Sequence, residues 1–213
     1  MLPVEEKALL LDEFSGHVRQ NFPPEVWRSF FEERTAVAQF GSATRTLLCV
    51  DIGAADTVTL RAVLAALRRL AAATGGFVHG ETQDYAFASF TEAEAALRTG
   101  VALQRLLPKA RLRLGLSSGR FRMAQFTAQG RELRILLGKE RARVESLTAS
   151  AAPGTLQMTP HDFEVLQDTI AHDLGSCLVI AELEEELVKT VTLTLPPDQA
   201  AEMSTFAGLG LTA

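Results

Sequence analysis

Residues 45–76 carry three consecutive signals that restrict the fold of this chain more than any other feature. Residues 45–52 form an apolar strand-like run, and Asp56 is placed to cap a helix that reaches about Thr74. The helix presents an apolar stripe at helical spacing, made of Leu60, Val63, Leu64, Leu67 and Leu70. Gly75-Gly76 predicts its end, because glycine readily adopts the left-handed conformation found after helices. A strand that runs into a helix with one apolar face predicts a sheet with that helix packed against it.

The following segments extend this pattern into a complete motif. Residues 77–90 predict two short strands around a polar turn at Asp84, and Thr91-Glu-Ala-Glu94 predicts a capping box that opens a second helix ending near Pro108. Residues 111–116 predict the next strand. Later helices are predicted at 139–150 and 160–170, and later strands at 121–126, 132–137, 155–158, 177–183 and 188–195. This order predicts an α+β fold with a ferredoxin-like βαββαβ core, an antiparallel-dominated sheet and extra C-terminal strands.

The pattern divides the chain into an N-terminal helical lead-in or dimer-linking segment (1–43), a main domain (44–195) and a flexible Ala- and Gly-rich tail (196–213). Within the lead-in we predict helices at 4–20 and 25–31 and a linker at 35–43. Trp27, Phe30 and Phe31 form an apolar cluster there. Packing on the domain and a dimer contact are equally good interpretations of this cluster.

Charge and composition argue against several classes of protein. The net charge is −5 and no basic tract occurs, which argues against binding to nucleic-acid polymers. Cys49 and Cys177 both lie in apolar runs, so we expect buried thiols rather than a disulfide. The first residues lack the pattern of a signal peptide, and no apolar run reaches the length of a membrane span. We therefore expect a cytoplasmic protein without a membrane partner.

Two aspartates form the candidate site. Asp51 ends the first strand-like run, and Asp84 lies in the turn of the hairpin that follows. Two carboxylates delivered by two strands suit a hard divalent cation. Two close carboxylates also repel each other, so either a cation or Arg120 must compensate them if they converge. Turn hydrogen bonds and an ion pair with Arg120 are the alternatives to metal binding.

A co-linear series of motifs resembles the catalytic domain of class III adenylate/guanylate cyclases. The series consists of Leu47-Leu-Cys-Val-Asp51-Ile52, Gly75-Gly76 with the Asp84 hairpin, Leu112-Arg-Leu-Gly115-Leu-Ser-Ser-Gly119-Arg120, Leu136-Leu-Gly138 and Ala152-Pro153-Gly154. The upstream run Phe22-Pro23-Pro24-Glu25-Val26 is similar to the segment that often precedes that domain. The resemblance covers roughly residues 14–195.

The resemblance implies a two-metal site for a nucleoside triphosphate, placed between two subunits. Asp51 and Asp84 would hold two Mg²⁺ or Mn²⁺ ions, helped by the main-chain carbonyl of Ile52. Arg120 would bind phosphate, and Ala54 and Ala55 lie in the turn that normally offers backbone N–H groups to phosphate. The implied chemistry is in-line attack of a ribose hydroxyl on the α-phosphate, assisted by the metals.

Several positions depart from the family pattern near the metals and the base. The base-selecting lysine falls on Gly80, and the glycine before the second aspartate is Gln83. The bulky Tyr85 follows that aspartate, where the core is a better interpretation than a base-stacking platform. Asp56 places a negative charge in the phosphate turn. These changes predict weakened nucleotide binding.

The half of the site that the second subunit would supply is also changed. The ribose-orienting asparagine falls on Ala142, and the transition-state arginine falls on Ser146. Arg141 and Arg143 are close by, but a helix turns about 100° per residue, so neither points where the missing arginine would. Such an arginine contributes about 10³–10⁵ in rate, which is about 4–7 kcal/mol.

Three functions are compatible with this pattern. The first is a degenerate cyclase-like domain, not catalytic on its own, that acts as a dimerising regulatory module and binds a nucleotide or another small ligand. The second is the metal-binding half of a heterodimeric or weakly active cyclase that makes cyclic nucleotide from ATP or GTP with two divalent metals. The third is an interaction protein whose cleft has closed. A homodimer, or a heterodimer with another cyclase-like chain, is the expected assembly.

Overall fold

The computed structural model describes residues 4–34, 36–53, 55–79, 82, 84–128, 131–174, 178–184 and 187–194. The predictions made for Ala54, Gly80, Gln83, Cys177 and the tail 196–213 concern residues outside these ranges. The helices are α1 (Val4–Asn21), α2 (Pro24–Phe31), α3 (Thr57–Ala73), α4 (Ala93–Leu106), α5 (Lys139–Ser150) and α6 (Pro160–Thr169). The strands are β1 (Gln39–Asp51), β2 (Phe77–Val78), β3 (Tyr85–Phe90), β4 (Leu114–Ala128), β5 (Arg131–Leu137), β6 (Thr155–Met158), β7 (Leu178–Glu184) and β8 (Leu187–Thr194).

The strands form one mixed sheet whose first half has the predicted topology. The order is β2-β3-β1-β4-β6-β8-β7, and β5 pairs with β4. The segment β2-β3-β1-β4, with α3 and α4 as its connections, is the ferredoxin-like βαββαβ core. Every described pairing is antiparallel except that of β4 with β6. The predicted α+β fold, with an antiparallel-dominated sheet and extra C-terminal strands, is confirmed.

The central pair of strands is longer than the sequence pattern indicated. β1 begins at Gln39, so the second half of the predicted linker 35–43 is strand. β4 runs without a break from Leu114 to Ala128, so the strands predicted at 111–116 and 121–126 are one. The two pair from Gln39↔Gln125 to Val50↔Leu114. Residues 39–44 are mostly exposed and therefore show no apolar alternation, which is why the predicted strand began too late, at residue 45.

Of the two predicted helix caps at the starts of α3 and α4, the first is confirmed and the second is wrong. Asp56 caps α3 as expected, because its Oδ1 accepts the N–H groups of Val58 and Thr59 at 2.8 and 2.9 Å. The capping box predicted at Thr91 is wrong. α4 starts at Ala93, and its N-cap residue Glu92 makes no capping hydrogen bond with its side chain. Glu94 instead lies 3.8 Å from Arg98 one turn later.

Each face of the sheet has its own apolar core. One face carries α3, α4 and α6 over the larger cluster, which includes Leu48, Val50, Leu67, Leu97 and Leu114. The other face carries α5 over a smaller cluster, which includes Leu47, Cys49, Phe87, Phe121 and Val144. Alternate residues of β1 therefore face different cores, as the two-residue period of a strand requires.

The N-terminal helices pack on the hairpin formed by β4 and β5. Phe14 of α1 makes edge-on ring contacts with Phe30, Phe40 and Phe126 at 5.4, 5.5 and 5.7 Å between centroids. Trp27 packs at the margin of this cluster, with the Arg19 guanidinium 5.4 Å from its ring. The aromatic residues of the lead-in thus pack on the domain, which is the first of the two interpretations given above.

Helix α5 approaches β4 closely because Gly115 has no side chain. A Cβ at this position would overlap Thr148 Oγ1 and lie 2.8 Å from the Val144 carbonyl oxygen. We expect Gly115→Ala to lower the free energy of unfolding by about 1–3 kcal/mol, because the helix must move away from the sheet. Urea denaturation measures this loss. Gly41→Ala in β1 is the matched control, since no atom lies within 4 Å of a Cβ there; an equal loss in both variants would contradict the close approach.

Candidate active site

The structure brings Asp51 and Asp84 together at Gly53. Asp51 is the last residue of β1 and pairs with Tyr85, the first residue of β3, so Asp84 lies next to it on the neighbouring strand. The Gly53 N–H donates to Asp51 Oδ1 at 3.0 Å. A Cβ on Gly53 would lie 2.8 Å from Asp84 Oδ1. The two carboxylates therefore lie on either side of one glycine, as the predicted hairpin requires.

The nearest described counter-charge is Arg113. Its Nη1 lies 4.0 Å from Asp51 Oδ2, and both side chains are partly exposed. Arg113 is brought there by the sheet, because its carbonyl accepts the N–H of Asp51. We expected Arg120 to supply this charge. In a ferredoxin-like order the strand at 111–116 lies beside the first strand, and that adjacency could have identified Arg113 instead.

Arg120 lies away from the aspartates. It pairs with Thr44, and Asp51 follows Thr44 by seven residues, which is about 23 Å along a strand. An odd separation also places the two side chains on opposite faces of the sheet. Arg120 Nε donates to Ser42 Oγ at 3.1 Å. The structure thus unites the two predicted metal ligands and separates them from the predicted phosphate ligand.

Backbone groups around Asp51 are engaged within the chain. The Ile52 carbonyl, a predicted metal ligand, accepts the N–H of Ala55 at 3.1 Å, and the Ile52 N–H donates to the Asp84 carbonyl at 2.8 Å. The Ala55 N–H, a predicted phosphate donor, is used in the same bond. The Asp56 carboxylate accepts hydrogen bonds from the first N–H groups of α3. These bonds, of which that from Thr59 has the largest effect, hold the pKa of the Asp56 carboxyl below its usual value. The phosphate turn is therefore filled by the chain's own carbonyl and carboxylate.

Helix α5 carries the two positions that depart from the family in the second half of the site. Ala142 and Ser146 are both exposed, and the Ser146 hydroxyl donates to the Ala142 carbonyl at 3.0 Å. Arg141, one position before, donates to Glu145 at 2.9 Å and lies 5.5 Å from the Phe87 ring. Its Nη1 also donates to His17 Nδ1 of α1 at 3.0 Å. Arg141 is thus held by α1, α5 and β3.

Tyr85 packs against the core beneath α5. Its ring lies 6.4 Å from that of Phe87, and it is half-buried at the edge of the smaller cluster. Burial raises the pKa of its phenol, and Cys49 and Asp51 act in the same direction. Tyr85 is therefore mainly a packing residue beside the aspartates.

Three further titratable groups are structural. His79 is buried, its Nε2 lies 2.8 Å from Ser89 Oγ, and burial lowers its pKa to about 4. His17 is also buried, and burial followed by the Arg141 charge lowers its pKa to about 4. Cys49 is a buried free thiol, as predicted, and burial raises its pKa. Within the described ranges, no group of three or more His, Cys, Asp or Glu side chains is arranged to hold a metal.

The fold is similar to those of cyclase catalytic domains. The adenylyl cyclase CyaB of P. aeruginosa superposes with a TM-score of 0.56 at 14% identity, over 76% of this chain and 98% of that chain. A dimeric guanylyl cyclase domain, from the RhoGC fusion protein of the aquatic fungus Blastocladiella emersonii, gives 0.57 at 12% identity, over 72% and 97%. The guanylate cyclase domain of RhGC from Catenaria anguillulae, in complex with GTP, gives 0.56 at 12% identity, over 73% and 98%.

These similarities identify the fold as that of class III adenylyl and guanylyl cyclase catalytic domains, and the resemblance seen in the motifs is confirmed at that level. No protein-family model matches the sequence, and comparison with curated proteins gives no match. Among the helices of the described residues, none has both the length and the apolar character needed to span a bilayer.

The two buried histidines predict a pH dependence of stability. Their pKa is about 4 in the folded chain and about 6.5 when unfolded, so the unfolded chain takes up protons first as the pH falls. The free energy of unfolding should therefore fall as the pH drops from about 6.5 towards 4, by up to about 1.4 kcal/mol per pH unit for each histidine. Urea unfolding between pH 5 and 7 measures this slope.

His17→Gln and His79→Gln should each reduce that slope by roughly half, whatever their effect on stability at pH 7. His172→Gln is the control, because His172 is an exposed histidine outside both buried positions. A slope that is equal in all three variants and the wild type would contradict the assignment.

Proposed function

We propose that this chain is a cyclase-like regulatory domain that binds divalent metal with a nucleotide but does not turn the nucleotide over by itself. The convergence of Asp51 and Asp84 on Gly53, together with the exposed Ala142 and Ser146, carries this proposal. One half of the expected site keeps its carboxylates. The positions of the other half offer a methyl group and a hydroxyl that is bonded to its own helix.

The donor set supports Mg²⁺ or Mn²⁺ as the metal. Carboxylate oxygens are hard ligands, and Mg²⁺ is commonly held by one or two carboxylates together with substrate phosphates and water. Asp51 and Asp84 fit that arrangement, with the phosphates supplying the remaining oxygens. Arg113 at 4.0 Å from Asp51 partly offsets the repulsion between the carboxylates before metal binds. The bound metal would supply charge neutralisation on the triphosphate.

The regulatory role follows from the parts that are retained and the parts that are changed. The similar domain from B. emersonii forms a non-canonical dimer, and we propose that this chain also dimerises. A dimer of two such chains would have carboxylates on both sides and neither the asparagine nor the arginine on either. Without a transition-state arginine, turnover falls by about 10³–10⁵. Nucleotide occupancy would then change the assembly rather than yield product.

Metal binding and turnover give the first test. We expect Mn²⁺ to bind in the presence of ATP or GTP, and Asp51→Asn and Asp84→Asn each to weaken the affinity at least about tenfold, because each removes a charged oxygen ligand. Electron paramagnetic resonance of free Mn²⁺ measures the binding. Asp168→Asn, an exposed change on α6, is the control. We expect no cyclic AMP or cyclic GMP from the same samples; turnover that Asp51→Asn abolishes would overturn the regulatory assignment.

A second candidate function is supported by the exposure of the carboxylates. Asp84 is exposed and Asp51 is partly exposed, so both are accessible to a substrate at a subunit boundary. The chain would then be the metal-binding half of a heterodimeric cyclase, completed by a chain that carries the lysine, asparagine and arginine.

Restoring the changed residues in this chain tests that candidate. The variant Gly80→Lys with Ala142→Asn and Ser146→Arg should produce cyclic nucleotide from ATP or GTP if the metal half is competent. Adding Asp51→Asn should abolish that product. The control is Arg143→Gln without the three restoring substitutions, and it should remain inactive. A folded, metal-binding but inactive triple variant would count against the heterodimeric cyclase.

A further inference from the structure

A cleft of about 1080 Å³ lies between α1 and the start of α5, and we call it the α1–α5 cleft. It is bounded by α1, the start of β1, the middle of β4 and the first turn of α5. Its lining includes Leu9, Phe40, Ser42, Arg120 and Lys139. The volume is at the upper end of those typical of small-molecule sites.

The walls of the cleft are apolar and accessible. Leu9 is 70% exposed and Phe40 is 41% exposed, and they are two of the six large apolar side chains that are exposed among the described residues. Leu10 and Leu137 line the same space and are buried behind them. An apolar wall that remains open to solvent favours a ligand with an apolar body.

The polar part of the lining carries more positive than negative groups. Arg120, Arg122 and Lys139 line the cleft, against Glu13 and Glu140. Both carboxylate oxygens of Glu13 accept the Gly138 N–H at 2.9 Å, so this charge is already engaged.

Within the described ranges, Arg120 donates a hydrogen bond from Nε to Ser42 Oγ. A guanidinium has five N–H donors in a planar fork, so its outer edge is suited to an oxyanion.

The α1–α5 cleft is distinct from the aspartate pair. Arg120 is about 23 Å from Asp51 along the strand and on the other face of the sheet. A nucleoside triphosphate held by metal at Asp51 and Asp84 therefore does not place its phosphates on Arg120 of the same chain. The lining of the cleft also includes Ala142, the position of the ribose-orienting asparagine, so the cleft adjoins the second half of the expected nucleotide site.

We propose that the α1–α5 cleft binds a small amphipathic anion, with a single anionic head on Arg120 and an apolar body against Leu9 and Phe40. The positive charges of Arg120 and Lys139 in the lining suit a head of one or two negative charges. A ligand in this position contacts α1 and the first turn of α5 together. Its binding therefore fastens α1 to the domain, independently of the metal site.

Matched probes test both halves of the ligand. Decyl phosphate and decanoate, used below their micellar concentrations, combine an anionic head with an apolar chain. Inorganic phosphate supplies the anionic head alone, and 1-decanol supplies the apolar chain without an anionic head. We expect decyl phosphate or decanoate to raise the Tm of the full chain and the two simple probes to leave it unchanged. The one of these two probes that raises the Tm more shows whether the cleft prefers a phosphate monoester or a carboxylate as the head.

Paired variants locate the binding. Arg120→Gln should weaken the affinity for the active probe at least tenfold by isothermal titration calorimetry, and Arg61→Gln on the exposed face of α3 should not. Leu9→Gln should weaken it similarly, and Leu11→Gln, two positions along α1 and outside the cleft, should not. All four positions are exposed, so the variants should fold.

Other outcomes would overturn the proposal. Equal loss of affinity in Arg120→Gln and Arg61→Gln would indicate a diffuse charge effect, and equal loss in Leu9→Gln and Leu11→Gln would indicate non-specific detergent binding. A probe affinity that falls as the protein concentration rises, with a matching dimer by sedimentation, would show that a second copy covers the cleft. Probe binding that is lost in Asp51→Asn would place the ligand in the metal site instead. Failure of the protein to bind Mn²⁺, with probe binding retained, would contradict the proposed function but not the α1–α5 cleft as a ligand site.

Discussion

The ladder between β1 and β4 is the constraint on which the rest of the structure depends. Its twelve residue pairs, from Gln39↔Gln125 to Val50↔Leu114, fix the register of both strands along their whole length. One end of the ladder delivers Asp51 to Asp84 and Arg113, and the other end delivers Phe40 and Arg120 to α1. A shift of one residue would turn each of these side chains to the opposite face. The register of this ladder therefore keeps two chemically different regions apart.

Much of the fold could be predicted because it depends on local signals. The alternation of strands and helices, the Gly75-Gly76 stop and the Asp56 cap are all visible in short windows of sequence. The pairing of the strands that carry Asp51 and Asp84 followed from the order βαββαβ, which makes the first and third strands neighbours. What could not be predicted depends on long-range contacts. The exposed start of β1 has no apolar period, and the bond of Glu13 to Gly138 has no signature in either segment. Arg113 beside Asp51 has no local signature either, but it follows once the strand order is known.

The fold is shared with nucleotide cyclases, and several hydrogen-bond donors around the candidate site are used within the chain. The Ala55 N–H is used by Ile52, the first amides of α3 are used by Asp56, and Arg141 is held by His17 and Glu145. Each of these groups is satisfied within the chain, where a nucleotide-processing site would leave donors for its substrate. A fold alone does not determine function. Among the described residues around this site, the carboxylates of Asp51 and Asp84 are the groups that indicate ligand binding.

The bond between Glu13 and Gly138 joins residues that are 125 positions apart in sequence. During synthesis at about 5–20 residues per second, α1 therefore waits roughly 6–25 s for its partner to be made. Phe14 is 2% exposed in the folded chain, but for most of that interval Phe126 has not yet been made to cover it. Of the helices described here, α1 is synthesised first, and it cannot complete its contacts until Gly138 has been made. The nascent chain must keep an aromatic surface soluble until most of the domain has been translated.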